Sequence, residues 1–156
     1  MLTYNMDVTP ESLWKRTTPS EAELTQPYYC TEAGVFYAQQ HFSTARTDKE
    51  SYLLFYTLRG AGLIEQGESH VELRTGQALL LNCRTPQSYC TAPGQSCWHH
   101  YWVHLDGEGR PPWGRCCHRA KPPAIPQKCA EECFSRIRLD KNKKSRKPKL
   151  PGIFWR

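Results

Sequence analysis

The segment Cys97–Leu105, which reads CWHHYWVHL, constrains the fold of this chain more than any other feature. Successive side chains of a β-strand point to opposite faces, so every second residue of the segment shares a face. One face then carries Trp98, His100, Trp102 and His104. The other face carries Cys97, His99, Tyr101, Val103 and Leu105. Tryptophans interleaved with histidines are unusual on a buried face, and this row is the best indication of function in the sequence.

Short β-forming segments separated by glycine turns precede this strand. The strongest, Tyr52–Arg59, is apolar on both faces, which is typical of a strand deep in a sandwich or barrel. Gly60-Ala61-Gly62 then permits a bulge or a sharp bend. Further strands are predicted at Val35–Phe42, Leu63–Gln66, His70–Leu73, Gln77–Asn82 and Tyr89–Thr91. This spacing predicts an all-β fold, a small antiparallel barrel or jelly roll.

Three stretches are interpreted as irregular. Residues 1–27 are polar with scattered prolines and are expected to form a loosely ordered arm. Glu32-Ala33-Gly34 is interpreted as a turn, and Ser43–Ser51 as a polar loop that contains Arg46.

The charge is unevenly distributed and predicts a boundary near residue 109. Residues 1–109 carry a net charge of −5, from 7 Lys/Arg against 12 Asp/Glu, whereas residues 110–156 carry +11, from 14 against 3. We therefore divide the chain into an arm (1–27), a domain (28–109) and a basic tail rich in proline and cysteine (110–156).

The sequence contains no apolar run long enough for a transmembrane helix and no signal-peptide pattern at its start. We therefore expect a cytoplasmic protein that makes no contact with a membrane. The eight cysteines are then expected to be reduced thiols rather than disulfides.

An ordered series of motifs carries a family resemblance. The series is YLLFYTLRGAG at Tyr52–Gly62, LRTG at Leu73–Gly76, Pro86, Tyr89, and finally WxxxWVHLDG at Trp98–Gly107. It resembles the effector-binding and dimerisation domain of AraC-type (arabinose-regulator-type) bacterial transcription regulators, which is a cupin-like β-barrel. The chain departs from the usual family pattern at Gln77 and Leu105, and neither change threatens the fold.

Small-molecule pockets combine aromatic walls with a few oriented polar groups, and the predicted barrel interior offers both. The resemblance implies a small-molecule effector, a sugar, bound by Tyr89, His100 and Trp102, with Arg46 as a less securely placed fourth residue. It also implies a homodimer and a protein that is not an enzyme and holds no cofactor. Trp98 is expected to pack in the core. Other roles stay open at this point: Tyr89 as an ordinary strand aromatic and Arg46 as a solvated loop charge.

The resemblance runs from about Tyr28 to Gly107. Family members continue into a linker helix and a helix-turn-helix domain that binds DNA, and residues 110–156 show no comparable helices. We therefore expect a truncated regulator that cannot bind DNA specifically by itself, with a non-native tail produced by a frameshift. Translating the other two reading frames past codon 109 tests this expectation.

One alternative is a stand-alone cupin enzyme acting on a small molecule. Metal-dependent cupins carry a His-x-His pair, which is absent from this sequence. His100 and His104 share a face but lie about 13 Å apart at the rise of a strand. A metal–nitrogen bond is only about 2 Å long, so one ion does not suit both rings.

A further alternative is nucleic-acid binding through the basic tail, at Lys141–Lys147, driven by phosphate contacts without sequence specificity. The tail also holds Cys116, Cys117, His118, Cys129 and Cys133. Zinc sites usually space paired cysteines two to four residues apart, so the adjacent Cys116-Cys117 pair fits such a site poorly.

Overall fold

The structure is a computed structural model that describes residues 1–107, in which nine β-strands and one short helix form. In chain order they are β1 (Leu2–Asn5), β2 (Leu13–Arg16), α1 (Glu21–Leu24), β3 (Tyr29–Gln39), β4 (Ser43–Arg46), β5 (Tyr52–Gln66), β6 (Ser69–Arg74), β7 (Ala78–Asn82), β8 (Gln87–Thr91) and β9 (Cys97–Asp106). The all-β prediction is confirmed. The predicted strands at the ends of β5 and in β6 to β9 form close to their expected bounds.

Strand β5 is shared by two curved antiparallel sheets. Its first half pairs with β7 on one side and with β9 on the other, and β9 continues through β3 to β2. Its second half pairs with β6 and β8, and β8 continues through β4 to β1. The register of β5 with β9 shifts between Thr57 and Arg59, so the bulge predicted at Gly60–Gly62 lies instead at Leu58, two residues before Gly60. The long strand bends here and lets the two sheets face each other as a cupin-like barrel.

The core lies between the two sheets and is rich in aromatic residues. Its largest fully buried side chains are Trp98, Phe42, Phe55, Leu53, Ile64 and Leu73. A second apolar cluster lies on the other face of the sheet that contains β9, where Ala33, Leu54, Tyr56, Ala78 and Val103 are buried. The alternation predicted for β9 is therefore present, with the Trp–His face directed into the barrel.

Two glycines allow the tryptophans to lie directly against neighbouring backbone. A Cβ on Gly62 would stand 2.3 Å from Cε2 of Trp98, and one on Gly34 would stand 2.8 Å from Cζ2 of Trp102. The turn predicted at Glu32–Gly34 is wrong because these residues continue strand β3. Gly34 has a packing role here: it pairs with Trp102 across the β3–β9 ladder and leaves room for the indole ring.

The first 27 residues are not loosely ordered as predicted. Strand β1 adds to the free edge of β4, and β2 adds to the free edge of β3. The polar loop predicted at Ser43–Ser51 is also wrong over its first four residues, which form β4. The side chains of β1 and β2 are all exposed, so these strands add no buried residues to the core.

The predictions for the basic tail, including its cysteines, its lysine-rich segment and its reading frame, lie outside the described residues. The single helix within residues 1–107, α1, has four residues, and no helix of this part is long and apolar enough to cross a membrane.

Candidate functional site

The sequence singles out Arg46, Tyr89, His100 and Trp102, which we call the inner site. Strand β9 supplies two of them from the centre of its sheet, between β5 and β3. Phe36 packs against both His100 and Trp102, with ring centroids at 5.9 and 5.2 Å. Phe55 in turn contacts His100 and Tyr89, at 5.4 and 5.0 Å. These aromatic rings therefore bring three of the four predicted residues together inside the barrel.

His100 is fully buried among aromatic rings. Its ring stacks on Trp98 with centroids 3.8 Å apart. Burial lowers the pKa of His100 to about 3, and the hydrogen bond to the Trp98 carbonyl opposes this shift only in part. His100 is therefore neutral at pH 7.

The tautomer of His100 follows from its partner. Nδ1 lies 3.0 Å from the carbonyl oxygen of Trp98, which can only accept a hydrogen bond. Nδ1 must then carry the proton, and Nε2 is left as a bare acceptor. Nε2 is buried and has no hydrogen-bond partner. His100 thus presents one unused acceptor to the interior.

Trp102 presents an unused donor. Its indole packs against Trp14 of β2, Phe36 and His104, and its Nε1–H is buried without a partner. Trp98 differs, because its Nε1–H donates to Thr57 Oγ1 at 3.0 Å. Trp98 therefore has no polar group left for a ligand.

Arg46 lies on strand β4 rather than in the loop predicted for it. It pairs with Gln87 across the β4–β8 ladder, one step along the inward face from the pair Thr44 and Tyr89. The Nε–H of Arg46 is buried and has no hydrogen-bond partner. Its positive charge opposes the rise in the pKa of Tyr89 and adds to the lowering of the pKa of His104.

Tyr89 is buried and neutral at pH 7. Burial raises the pKa of its phenol to about 12, although the nearby charge of Arg46 acts in the opposite direction. Tyr89 is therefore available as a hydroxyl and not as a phenolate.

A polar network that sequence reasoning missed lies beside the inner site, and we call Glu32, Lys49, Ser51 and His104 the mouth cluster. Ser51 Oγ lies 3.0 Å from His104 Nδ1, and both residues are buried. Lys49 Nζ lies 2.8 Å from Glu32 Oε1. Glu32 pairs with His104 across the β3–β9 ladder, which joins the two halves of the cluster.

Burial also lowers the pKa of His104 to about 3, and the charges of Lys49 and Arg46 act in the same direction. Desolvation lowers the pKa of Lys49, although its hydrogen bond with Glu32 opposes the shift. The mouth cluster thus combines an ion pair with a neutral histidine and a hydroxyl.

The two-residue alternation of side chains along β3 is the sequence signal that indicates this cluster. Glu32 lies two residues before Gly34 and four before Phe36, on the face that turns toward Trp102 and His100. A carboxylate on the inward face of an otherwise apolar strand requires a cationic partner. Interpreting Glu32–Gly34 as a turn hid that alternation.

Two further observations concern metal ions and surface grooves. Within residues 1–107, no group of three His, Cys, Asp or Glu side chains lies close enough to share a metal ion. An open groove of about 350 Å³ lies beside β1, β4 and β8, lined in part by Thr3, Ala45, Glu65 and Ser88. Arg46 and Gln87 also line this groove, whereas His100 and Trp102 do not.

Comparison with known protein families gives one match. The family model of the AraC-like ligand binding domain matches residues 30–137, which is more than half of the chain. No curated protein matches the sequence.

Solved structures show a similar fold. The protein YhaK from Escherichia coli superposes with a TM-score of 0.53 at 17% sequence identity, over 71% of this chain and 48% of YhaK. A cupin superfamily protein from Desulfitobacterium hafniense gives a TM-score of 0.46 at 12% identity, over 62% of this chain and 78% of that protein. The Cupin_2 domain of an XRE family transcriptional regulator from Enterobacter cloacae gives 0.44 at 13% identity, over 60% and 95%.

Proposed function

The chain belongs to the AraC-like ligand binding domain family, and on this premise we propose that its barrel binds a sugar as the effector of a transcription regulator. The binding residues are those of the inner site. In this proposal the protein senses the sugar without converting it, acts as a homodimer, and works in the cytoplasm. The four cysteines within residues 1–107 are free thiols, which supports a reducing compartment.

One observation carries the proposal: three of the four inner-site residues hold a buried polar atom without a partner. These atoms are Arg46 Nε, His100 Nε2 and Trp102 Nε1. Leaving a buried donor or acceptor unpaired costs about 1–3 kcal/mol, so folded proteins rarely keep several together. A ligand that supplies the missing partners recovers this free energy on binding.

The unpaired atoms differ in what they require. His100 Nε2 requires a donor, whereas Trp102 Nε1–H and Arg46 Nε–H each require an acceptor. A sugar hydroxyl is both a donor and an acceptor. The indole face of Trp102 can also stack on the apolar C–H face of a sugar ring. A sugar therefore meets both the polar and the apolar requirements of the site.

A thermal-shift screen with neutral sugars and sugar acids tests the proposal. A sugar that binds only the folded chain raises the unfolding temperature in a concentration-dependent manner. We expect His100→Ala and Trp102→Ala to abolish this rise. Trp102→Phe is a gentler variant that keeps an aromatic face and removes only the N–H donor, and we expect a reduced rise.

His99→Ala is the matched control. His99 is adjacent to His100 but lies on the opposite face of β9, against Tyr37. The His99→Ala protein should show the full sugar-dependent rise in unfolding temperature. An equal rise in the His100 and Trp102 variants would contradict the inner site, and no rise with any sugar would contradict the sugar proposal.

A further inference from the structure

The mouth cluster and Arg46 hold two cations and one carboxylate. The carboxylate of Glu32 is already engaged, with Lys49 Nζ at 2.8 Å and Trp14 Nε1 at 3.2 Å. Arg16 Nε also approaches Glu32, at 3.8 Å. Glu32 therefore neutralises Lys49 and is not available to Arg46.

Arg46 has no ion pair and no side-chain hydrogen bond within the described part of the chain, although its Nε is buried. The carboxylate of Asp48 is exposed and pairs instead with the amino group of Met1 at 3.3 Å. Arg46 also influences Lys49, which Glu32 already neutralises, and three buried side chains that are uncharged at pH 7. Tyr89 and Cys83 keep their protons because burial raises their pKa values, and burial keeps His104 unprotonated by lowering its pKa. The guanidinium is thus left as an uncompensated positive charge beside the barrel interior.

We propose that the effector is a sugar acid whose carboxylate binds Arg46. This inference rests on the proposed sugar-sensing function and specifies the class of sugar. A carboxylate accepts charge-assisted hydrogen bonds from a guanidinium, which are stronger than those of a neutral hydroxyl. It also supplies the acceptor that Arg46 Nε–H lacks.

The positions of the inner-site residues suit such a molecule. Trp102 and His104 are neighbours on the inward face of β9, about 7 Å apart along the strand. The positive charge of Arg46 lowers the pKa of His104, whereas the aromatic face proposed for stacking belongs to Trp102. A sugar ring stacked on Trp102 then directs an exocyclic carboxylate toward Arg46. His100, the next inward residue beyond Trp102, accepts a hydrogen bond from a ring hydroxyl.

The charge balance favours a carboxylate over a phosphate. Because Lys49 is paired with Glu32, the site offers one net positive charge, which a single carboxylate neutralises. A phosphate group carries a charge of about −1.5 to −2 at pH 7 and would leave part of its charge uncompensated. The phosphate ester of the same sugar is therefore the discriminating competitor.

Isothermal titration calorimetry with matched ligands tests the inference on the full chain. The probes are hexoses, the hexuronic acids of the same configuration, and the corresponding hexose 6-phosphates. We expect a uronic acid to bind at least about tenfold more tightly than its neutral hexose and its phosphate. Arg46→Gln should weaken the binding of the uronic acid far more than that of the neutral hexose and so remove this preference, whereas Arg46→Lys should restore part of it.

Arg59→Gln is the matched control, because Arg59 is an exposed arginine on β5 that pairs with His99. It should leave the preference intact. Equal affinity for the hexose and its uronic acid, or a preference that survives Arg46→Gln, would overturn the acidic effector and leave the sugar-sensing proposal standing. If the hexose 6-phosphate bound more tightly than the uronic acid, Arg46 would recognise a phosphate and the carboxylate proposal would be wrong. Binding of none of the three classes would overturn both proposals.

Discussion

Close packing of glycine against tryptophan makes Gly62 one of the least tolerant positions of the barrel. An added methyl group would lie 2.3 Å from the Trp98 ring, which is fully buried and held by its hydrogen bond to Thr57. We expect Gly62→Ala to lower the free energy of unfolding by about 1–3 kcal/mol, the usual cost of an overpacked core. Urea denaturation followed by far-UV circular dichroism measures this change.

Gly67→Asn is the matched control for this substitution. Gly67 has a φ of 59° and open space around it, and asparagine tolerates the left-handed region better than most residues. Its effect should stay within about 0.5 kcal/mol. A Gly62→Ala protein as stable as the parent would show that Trp98 does not lie against this glycine.

The two buried histidines make stability dependent on pH. The folded-state pKa values of His100 and His104 are about 3, below the ordinary value of 6.5 that applies to the unfolded chain. Below pH 6.5 the unfolded chain takes up protons that the folded chain does not, so stability falls as the pH decreases from 6.5 toward 3. At pH 5 each histidine should cost about 2 kcal/mol.

Urea denaturation at pH 7 and pH 5 checks this dependence. His100→Gln and His104→Gln should each reduce the loss between the two pH values, whereas His41→Gln, at an exposed position, should leave it unchanged. An identical loss in all three variants would show that the two buried histidines do not cause it.

The sequence indicates some of these residues and not others. The period of two along β9 is enough to place four residues on one face, namely Trp98, His100, Trp102 and His104. The ion pair of Glu32 with Lys49 is not predictable in this way, because the two residues are 17 positions apart. Only the pairing of β3 with β9 and the course of the chain after β4 bring them together.

At the level of elements, β9 is an interior strand of its sheet. It pairs along its length with both β3 and β5, whereas β1 and β2 each pair on one side within residues 1–107. Backbone amides open to solvent more readily at sheet edges than in the centre. We expect amide hydrogen exchange to be slower in β9 than in β1 and β2.

Hydrogen exchange followed by mass spectrometry of peptic fragments measures this order. Peptides from β7, which pairs with β5 alone in the described part, provide an internal reference for an edge strand of the core. Protection of β1 equal to that of β9 would contradict the edge position of the arm.

Elements differ in how well they can be predicted. Strands β5 and β9 contribute many side chains to the core, and their apolar residues mark them in the sequence. Strands β1, β2 and β4 are short and add few side chains to the core, and backbone pairing with an existing edge stabilises them. Such pairing depends on main-chain atoms that every residue has, so composition does not indicate it.

At the scale of the whole molecule, the arm carries exposed apolar surface. Within residues 1–107, the exposed large hydrophobic residues are Met1, Leu2, Tyr4, Met6, Leu13, Trp14 and Leu24. Leu2 and Tyr4 lie on β1 and Leu13 and Trp14 on β2, the two strands at the ends of the strand order. Exposed apolar side chains on an edge strand can pack against a second copy of the chain, so the proposed homodimer would place β1 of the arm at its interface.

Sedimentation equilibrium tests the dimer. We expect a mass near twice the 18.1 kDa of the chain. The double substitution Leu2→Ser with Tyr4→Ser, which alters one face of β1, should favour the monomer. The control substitution Thr3→Ser, on the opposite face of β1, should leave the dimer intact. A monomer at every concentration tested would contradict the dimer.

The central position of β9 also affects how the chain folds during its synthesis on the ribosome. A ribosome delivers the chain from its amino end, and β9 is the last of the described strands to emerge. Until Asp106 has left the exit tunnel, the edges of β3 and β5 that β9 joins are without their partner. Such edges can pair with those of a neighbouring nascent chain. The barrel therefore cannot close until nearly all of the described chain has been synthesised. A translational pause before Trp98 would lengthen the time during which the chain can misassemble.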